Sequence, residues 1–338
     1  MPTSLRTWHI NMSECHNILM EVPAPLLVLT IAIIIDLAFG EMPNTLHPVV
    51  WIGSLIRKTT RICEQKSQKS QKSQKSQKSQ ELRKYLCGLV LALICISCAA
   101  AFGALLNILA SHHRITGIVV TAYFLKSTFS IRSLTSSSNL IYRELSANNS
   151  VGARRDLIAL VSRDASRLNK PKIASAAIES TAENFVDSIL SPILYFAIFG
   201  IPGALTYKAI NTLDSMVGYR NKQFREIGFV SAKLDDIVNW VPARLSVIFI
   251  FFASVPYNPA AALRTCLRDH ALPASPNSGY PMAMVAGALS RRLEKPGSYV
   301  LGEEHPDPAP RDIVRGNRIV LMATALLIVV VAAGLTIV

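Results

Sequence analysis

Hydrophobic positions in this chain gather into long unbroken runs, not into the short alternations of a water-soluble domain. Residues 85–110 and 319–338 each meet the roughly 20 apolar residues that cross about 30 Å of hydrocarbon. The run 23–40 is slightly short and ends in Asp36, and it is predicted to span as well, because a carboxylate in its last turns can meet an interface or a protein partner. Three further runs are interrupted. Residues 115–134 contain Lys126 and Arg132, 189–207 is broken by GIPG at 200–203, and 237–255 holds Pro242 and Arg244. A central Arg costs about 2.5–3.5 kcal/mol on insertion scales, so the last run is either functional or not a simple span. The pattern predicts an all-α fold, a polytopic integral membrane helical protein with four to six transmembrane helices and a cytoplasmic helical region.

The polar remainder is also patterned. In residues 151–168, Leu157, Ile158, Leu160, Val161 and Leu168 recur at helical spacing, with Arg154, Arg155, Arg163 and Arg167 elsewhere, which predicts an amphipathic helix. Residues 169–171 supply a stop and restart, with Pro171 suited to a first helical turn. The next stretch, IESTAENFVD at 178–187, carries Glu179, Glu183 and Asp187 four residues apart, which stacks them on one helix face. Like charges so placed oppose a helix by roughly 0.2–0.5 kcal/mol per pair. Such ladders are commonly solvated, but this one is flanked by Ala174, Ala176, Ala177 and Ile178 and by the uncharged run 189–207. In so apolar a setting the carboxylates are expected to be paired, metal-bound or neutralised.

Composition agrees with a membrane protein: half of the residues are hydrophobic, 17% are charged, and mean hydropathy is +0.33. The net charge of +13 matters chiefly through its placement. Residues 65–80 are five QKS triplets and a glutamine, with five lysines and no acid. That tract has no apolar face and is expected to be a disordered loop. It reads as a cytoplasmic connection between spans, since short basic loops stay inside, and not as a nucleic-acid tail. Residues 1–19 lack the order of a signal peptide and form an N-terminal extension, with Met20 a possible start and 20–338 a single domain. Cys95 and Cys98 lie inside an apolar run without a second pair and read as structural thiols.

Further candidate chemistry follows the ladder. In KAINTLDSMVGYRNK, Asn211 and Asp214 share a helix face, offering hard oxygen ligands to Mg²⁺, while Lys208, Arg220 and Lys222 suit phosphate. A capped interhelical turn would use the same residues. Asp235 and Asp236 precede the run with Arg244, where helix capping is the plain alternative. His47 and Pro48 mark an ordered turn after the first run, and SPNSGYP at 275–281, with Asn277, is a turn-rich loop before a small-residue helix. No GxxxxGK[ST], GxGxxG or HExxH string occurs, so any nucleotide is held by another arrangement.

Six strings occur in order from residue 36 to residue 289, within a resemblance that runs to about 318: DLAFGEMPNTLHPVVWIGSLI, SRDASRL, AAIESTAENFVDSILSPILY, PGALTYKAINTLDSMVGYRN, SAKLDDIVNWVPARL and SPNSGYPMAMVAGAL. Together they resemble the adenosylcobinamide-phosphate synthase family of cobalamin biosynthesis, the CobD/CbiB proteins. The resemblance implies a membrane enzyme whose helical region is catalytic. It would join aminopropanol, usually as its O-phosphate, to the propionate carboxylate of adenosylcobyrate, with ATP driving amide formation. It implies small-molecule substrates, a lipid bilayer and other corrinoid-assembly enzymes as partners, and no nucleic acid.

Side-chain chemistry then assigns Glu179, Glu183, Asp187 and Asp214 as catalytic groups and Mg²⁺ ligands. Asp164, Asn184, Lys208, Asn211, Arg220, Asp235, Asp236, Arg244 and Asn277 would contact substrate or ATP. Two rivals are a Mg²⁺-dependent prenyltransferase-like membrane enzyme, for which paired DDxxD motifs are missing, and a corrinoid-binding or transport protein. If residues 189–207 crossed the bilayer once, Asp214 would stand on the opposite face from Glu183.

Overall fold

The apolar runs become helices that pack side by side, in a computed structural model that describes residues 22–71, 77–161, 164–218 and 225–337, with backbone alone over 63–71 and 77–80. In chain order these are α1 (Ala24–Phe39), α2 (Pro48–Gln71), α3 (Gln77–His112), α4 (Arg114–Lys126), α5 (Arg132–Ser146), α6 (Ser150–Leu157) and α7 (Lys170–Phe185). A π-helical turn, Val186–Leu190, leads into α8 (Ser191–Val217), followed by α9 (Phe229–Val238), α10 (Trp240–Ala253), α11 (Pro259–Asp269) and α12 (Gly279–Leu289). A two-stranded antiparallel hairpin, β1 (Leu293–Lys295) and β2 (Tyr299–Leu301), precedes the last helix, α13 (Pro310–Ile337). The hairpin is a small exception to the all-α expectation. Its three-residue strands are too short to carry a periodic signal.

Among the described residues, three helical stretches are by length and composition apolar enough to cross a membrane: Glu81–His112, Lys170–Val217 and Pro310–Ile337. A fourth arises if α9 and α10, bent by 43° at Asn239, act as one span. The count therefore meets the expected range only at its lower end. At 16 residues, α1 falls short of a full crossing.

Lys170–Val217 is not a straight rod. Gly200 takes φ 65° and ψ −159°, a region open essentially to glycine alone, and the chain folds back there. The Tyr195 ring stacks on Tyr207 across the fold at 5.2 Å. Past Gly200 the returning limb packs against α3, with Leu213 and Val217 in one buried cluster with Leu91 and Cys95. Asp187 and Asp214 stand at nearly equal chain distances from the turn, each limb about 20 Å long at 1.5 Å per residue. The 189–207 run thus returns to the end it left.

The amphipathic helix expected over 151–168 stops at Leu157. The broken turn is satisfied from outside: Ser180 Oγ donates to Leu160 O at 2.7 Å, and Arg154 Nε to Leu168 O at 2.9 Å. Asn169 Oδ1 accepts from Lys172 N and Pro171 lies in the first turn of α7, as its spacing predicts. The basic tract 65–80 is helical over 65–71 and 77–80, and 72–76 lies outside the described residues, as do residues 1–19.

Asp36 and Lys126, both fully buried, form an ion pair at 3.0 Å. Asp36 Oδ2 also accepts from the backbone N–H of Ile131 and of Arg132, closing the start of α5. Glu41 joins at 3.2 Å from Lys126 and 3.1 Å from His47. Burial pushes the Glu41 carboxyl up, but hydrogen bonds from His47 and Ser130 and the charge of Lys126 outweigh it and hold it at about 2.

Candidate active site

The acidic ladder begins on α7, but it does not run straight. At Val186 the helix widens into the π turn, a feature frequent at functional sites, and Asp187 sits on that wider turn. Glu183 and Asp187 line a cavity of about 230 Å³ together with Asp214 from α8 and Asp235 and Asp236 from α9. The loop before α12 closes it with Ser275 and Asn277. The fold-back at Gly200 is what brings Asp214 to Glu183, so the two stand in one site. Gly218 completes the wall, where a Cβ would collide with the Asp214 carboxylate.

Asn239, 1% exposed, is the hub of the cavity. Its Oδ1 accepts from Ser191 Oγ at 2.8 Å and from Tyr207 OH at 2.9 Å, and its Nδ2 donates to Asp235 Oδ2 at 3.0 Å. Tyr207 OH is also 3.2 Å from Asp187 O. One amide therefore ties both limbs of the fold-back to α9. Sequence reasoning missed Asn239, Ser191 and Tyr207; the four-residue interval from Asp235 to Asn239 was the available signal.

The other predicted residues distribute around this cavity. Asn211 Nδ2 donates to Asp235 Oδ1 at 3.4 Å, and Lys208 Nζ to Asn211 Oδ1 at 3.5 Å. The Lys208 charge acts on Asp187, Glu41 and Asp235. Asn277 Nδ2 donates to Asp236 O at 2.8 Å, and its Oδ1 accepts from Arg244, whose guanidinium lies over the Trp240 and Tyr280 rings.

Glu179 is placed differently: it accepts from Ser175 Oγ at 2.6 Å and from Tyr299 OH at 2.9 Å. It lines a smaller cavity that shares Glu183 with the first. Asn184 lies on the other side of α7, facing Ser130, Ser133 and Ser137, and its amide donates to Ser180 O. Asp164 accepts from the backbone and hydroxyl of Ser166, bonds that hold its carboxyl below the usual range, away from the acidic cavity. Arg220 lies outside the described residues.

Five carboxylates around one small cavity repel one another and favour a cation among them. No group of three or more His, Cys, Asp or Glu among the described residues is arranged to hold a metal ion unaided. Mg²⁺ usually takes one or two carboxylates and completes its shell with water and substrate phosphates. The donors here, carboxylate and amide oxygens, are of the hard type that ion takes.

Fold and site define a multi-pass helical protein with a carboxylate-lined cavity at one end of its helices. Residues 29–327 match the family described as CobD/Cbib protein. The chain is 39% identical to the probable cobalamin biosynthesis protein CobD of Methanothrix thermoacetophila, covering 86% of this chain and 90% of the relative. It is 38% identical to cobalamin biosynthesis protein CobD of Dehalococcoides mccartyi (85% and 90%) and 36% identical to that of Klebsiella pneumoniae subsp. pneumoniae (89% and 94%). No solved structure matches. The chain belongs to the CobD/CbiB family of cobalamin biosynthesis proteins.

Proposed function

We propose that this protein is an ATP-dependent carboxylate–amine ligase that joins aminopropanol O-phosphate to adenosylcobyrate, giving adenosylcobinamide phosphate. The observation that carries the reading is the cavity in which Glu183, Asp187, Asp214, Asp235 and Asp236 converge around the Asn239 hub. A carboxylate is a poor acyl donor and must be activated before an amine attacks. A propionate oxygen attacks the γ-phosphorus of ATP, the bond to the bridging oxygen breaks, and ADP leaves. The amine nitrogen then attacks the acyl carbon and loses a proton, and phosphate departs with the C–O electron pair.

Such transfers depend on positioning and charge neutralisation. Glu183, Asp187, Asp214, Asp235 and Asp236 are the residues that would hold Mg²⁺, which when bound neutralises phosphate charge. Lys208 supplies positive charge beside Asp187 and Asp235, and Arg244, positioned through Asn277, does so at the rim. Glu183 or Asp187 accepts the proton of the attacking amine.

The chain just after the basic tract lies toward the same end of the helices as the cavity, since Lys84 reaches Glu226 at 3.5 Å. Retention of basic segments inside puts the site on the cytoplasmic side, where ATP is available. The test is mass spectrometry of purified protein in detergent with adenosylcobyrate, aminopropanol phosphate, ATP and Mg²⁺. Amide and ADP should form together and disappear without ATP. Glu183→Gln and Asp214→Asn should each lower turnover at least about 100-fold while still inserting in the membrane. Near-normal turnover in both variants, or no amide from folded wild type with either amine, would overturn the reading.

A further inference from the structure

The hairpin β1–β2 carries chemistry that the acidic cavity does not use. Lys295 and Tyr299 are direct cross-strand partners, as are Leu293 and Leu301. All four therefore share one face of the hairpin. Leu293 and Leu301 are fully buried, so that face packs inward at its base, while Lys295 at the tip is exposed. Beneath the tip is a cavity of about 110 Å³ lined by Glu179, Glu183, Ser180, Lys295 and Tyr299.

The hairpin is anchored over α7. Glu294 N donates to Ser175 Oγ at 2.7 Å, and Glu294 pairs with Lys172 at 3.3 Å. Tyr299 OH reaches Glu179 at 2.9 Å, while the Lys295 ammonium lies 6.0 Å from the centre of the same ring. The tyrosine thus separates a negative inner wall from a positive lip. Glu183 belongs to this cavity and to the acidic one, so the two adjoin at that residue.

We propose that the cleft under the hairpin binds a small amino-alcohol phosphate, with its ammonium on Glu179 and Glu183 and its phosphate on Lys295. Opposite charges on a short linker match opposite charges across one ring. The arrangement delivers the nitrogen to the boundary with the cavity where the carboxylate is activated, and it selects the phosphate ester over the free amino alcohol. This assignment rests on the ligase reading for its substrate class.

The experiment is steady-state ligation by full-length protein in detergent, comparing wild type with Lys295→Met for aminopropanol phosphate, aminopropanol and ATP. The variant should raise KM for the phosphate ester about tenfold, the scale of one charged contact, and leave KM for aminopropanol and ATP unchanged. An unchanged KM for the ester, or an equal rise for both amines, overturns the subsite. Calorimetric titration of aminopropanol phosphate without ATP reads the cleft even where no amide forms. Binding weakened about tenfold by Lys295→Met supports it, and equal binding by both proteins, or none by wild type, overturns it. Failure of ligation with intact, Lys295-dependent binding would sink the ligase reading alone.

Discussion

At the scale of single residues, the cavity depends on one neutral side chain. Asn239 accepts two hydroxyl hydrogen bonds and donates one to a carboxylate, so replacing it by leucine strands Ser191 Oγ and leaves Tyr207 and Asp235 only their longer contacts with Asp187 O and Asn211. Orphaned buried partners cost about 1–3 kcal/mol. Asn239→Leu should lower the midpoint of thermal unfolding in detergent accordingly, and an unchanged midpoint would show that the hub carries no stability. Acidic positions such as Glu183 and Asp214 were visible in the sequence because a charge beside an apolar run needs an explanation. Asn239 was not, because an asparagine beside a tryptophan reads equally well as a helix terminus. Its value comes from partners 32 and 48 residues away in the chain.

At the scale of elements, the fold-back in Lys170–Val217 decides whether the acidic residues meet. A Cβ on Gly200 would meet its nearest atoms at ordinary van der Waals distance, 3.7 Å and 3.8 Å, so its requirement lies in the backbone alone. An L-residue there carries strain of about 1–3 kcal/mol. Gly200→Ala should destabilise the protein by that amount in a thermal melt, although no contact is lost; a melt identical to wild type would mean that the turn tolerates a side chain. GIPG announced a break, but composition alone does not say whether a broken run continues onward or reverses. The ladder was legible as a period of four, whereas the π turn that re-aims Asp187 has no signature in residue type. The hairpin escaped for a simpler reason, its strands being three residues each.

At the scale of the whole molecule, the acidic cavity and the hairpin tip gather at one end of the helices. Ser111, Gly200 and Leu335 line an apolar cavity of about 480 Å³ at the other. With the proposed orientation, a cysteine at Ser298 in an otherwise cysteine-free protein should resist a membrane-impermeant maleimide in intact cells and react after permeabilisation. A cysteine at Ser111 should react in intact cells. The reverse pattern would turn the molecule over and place the site away from cellular ATP. Long spans such as 85–110 and 319–338 were plain from hydropathy. The short helices α1 and α4 were harder, because their charges, Asp36 and Lys126, make sense only as a pair.

That pair also bears on biogenesis. Asp36 leaves the ribosome long before Lys126 does, and in the interval the first apolar segment carries a carboxylate with no counter-ion and nothing to cap. Until α4 is delivered, that segment remains a poor resident of lipid. A chain truncated before Lys126 would thus display an exposed membrane-buried charge, a mark by which quality-control proteolysis can tell unfinished copies from complete ones.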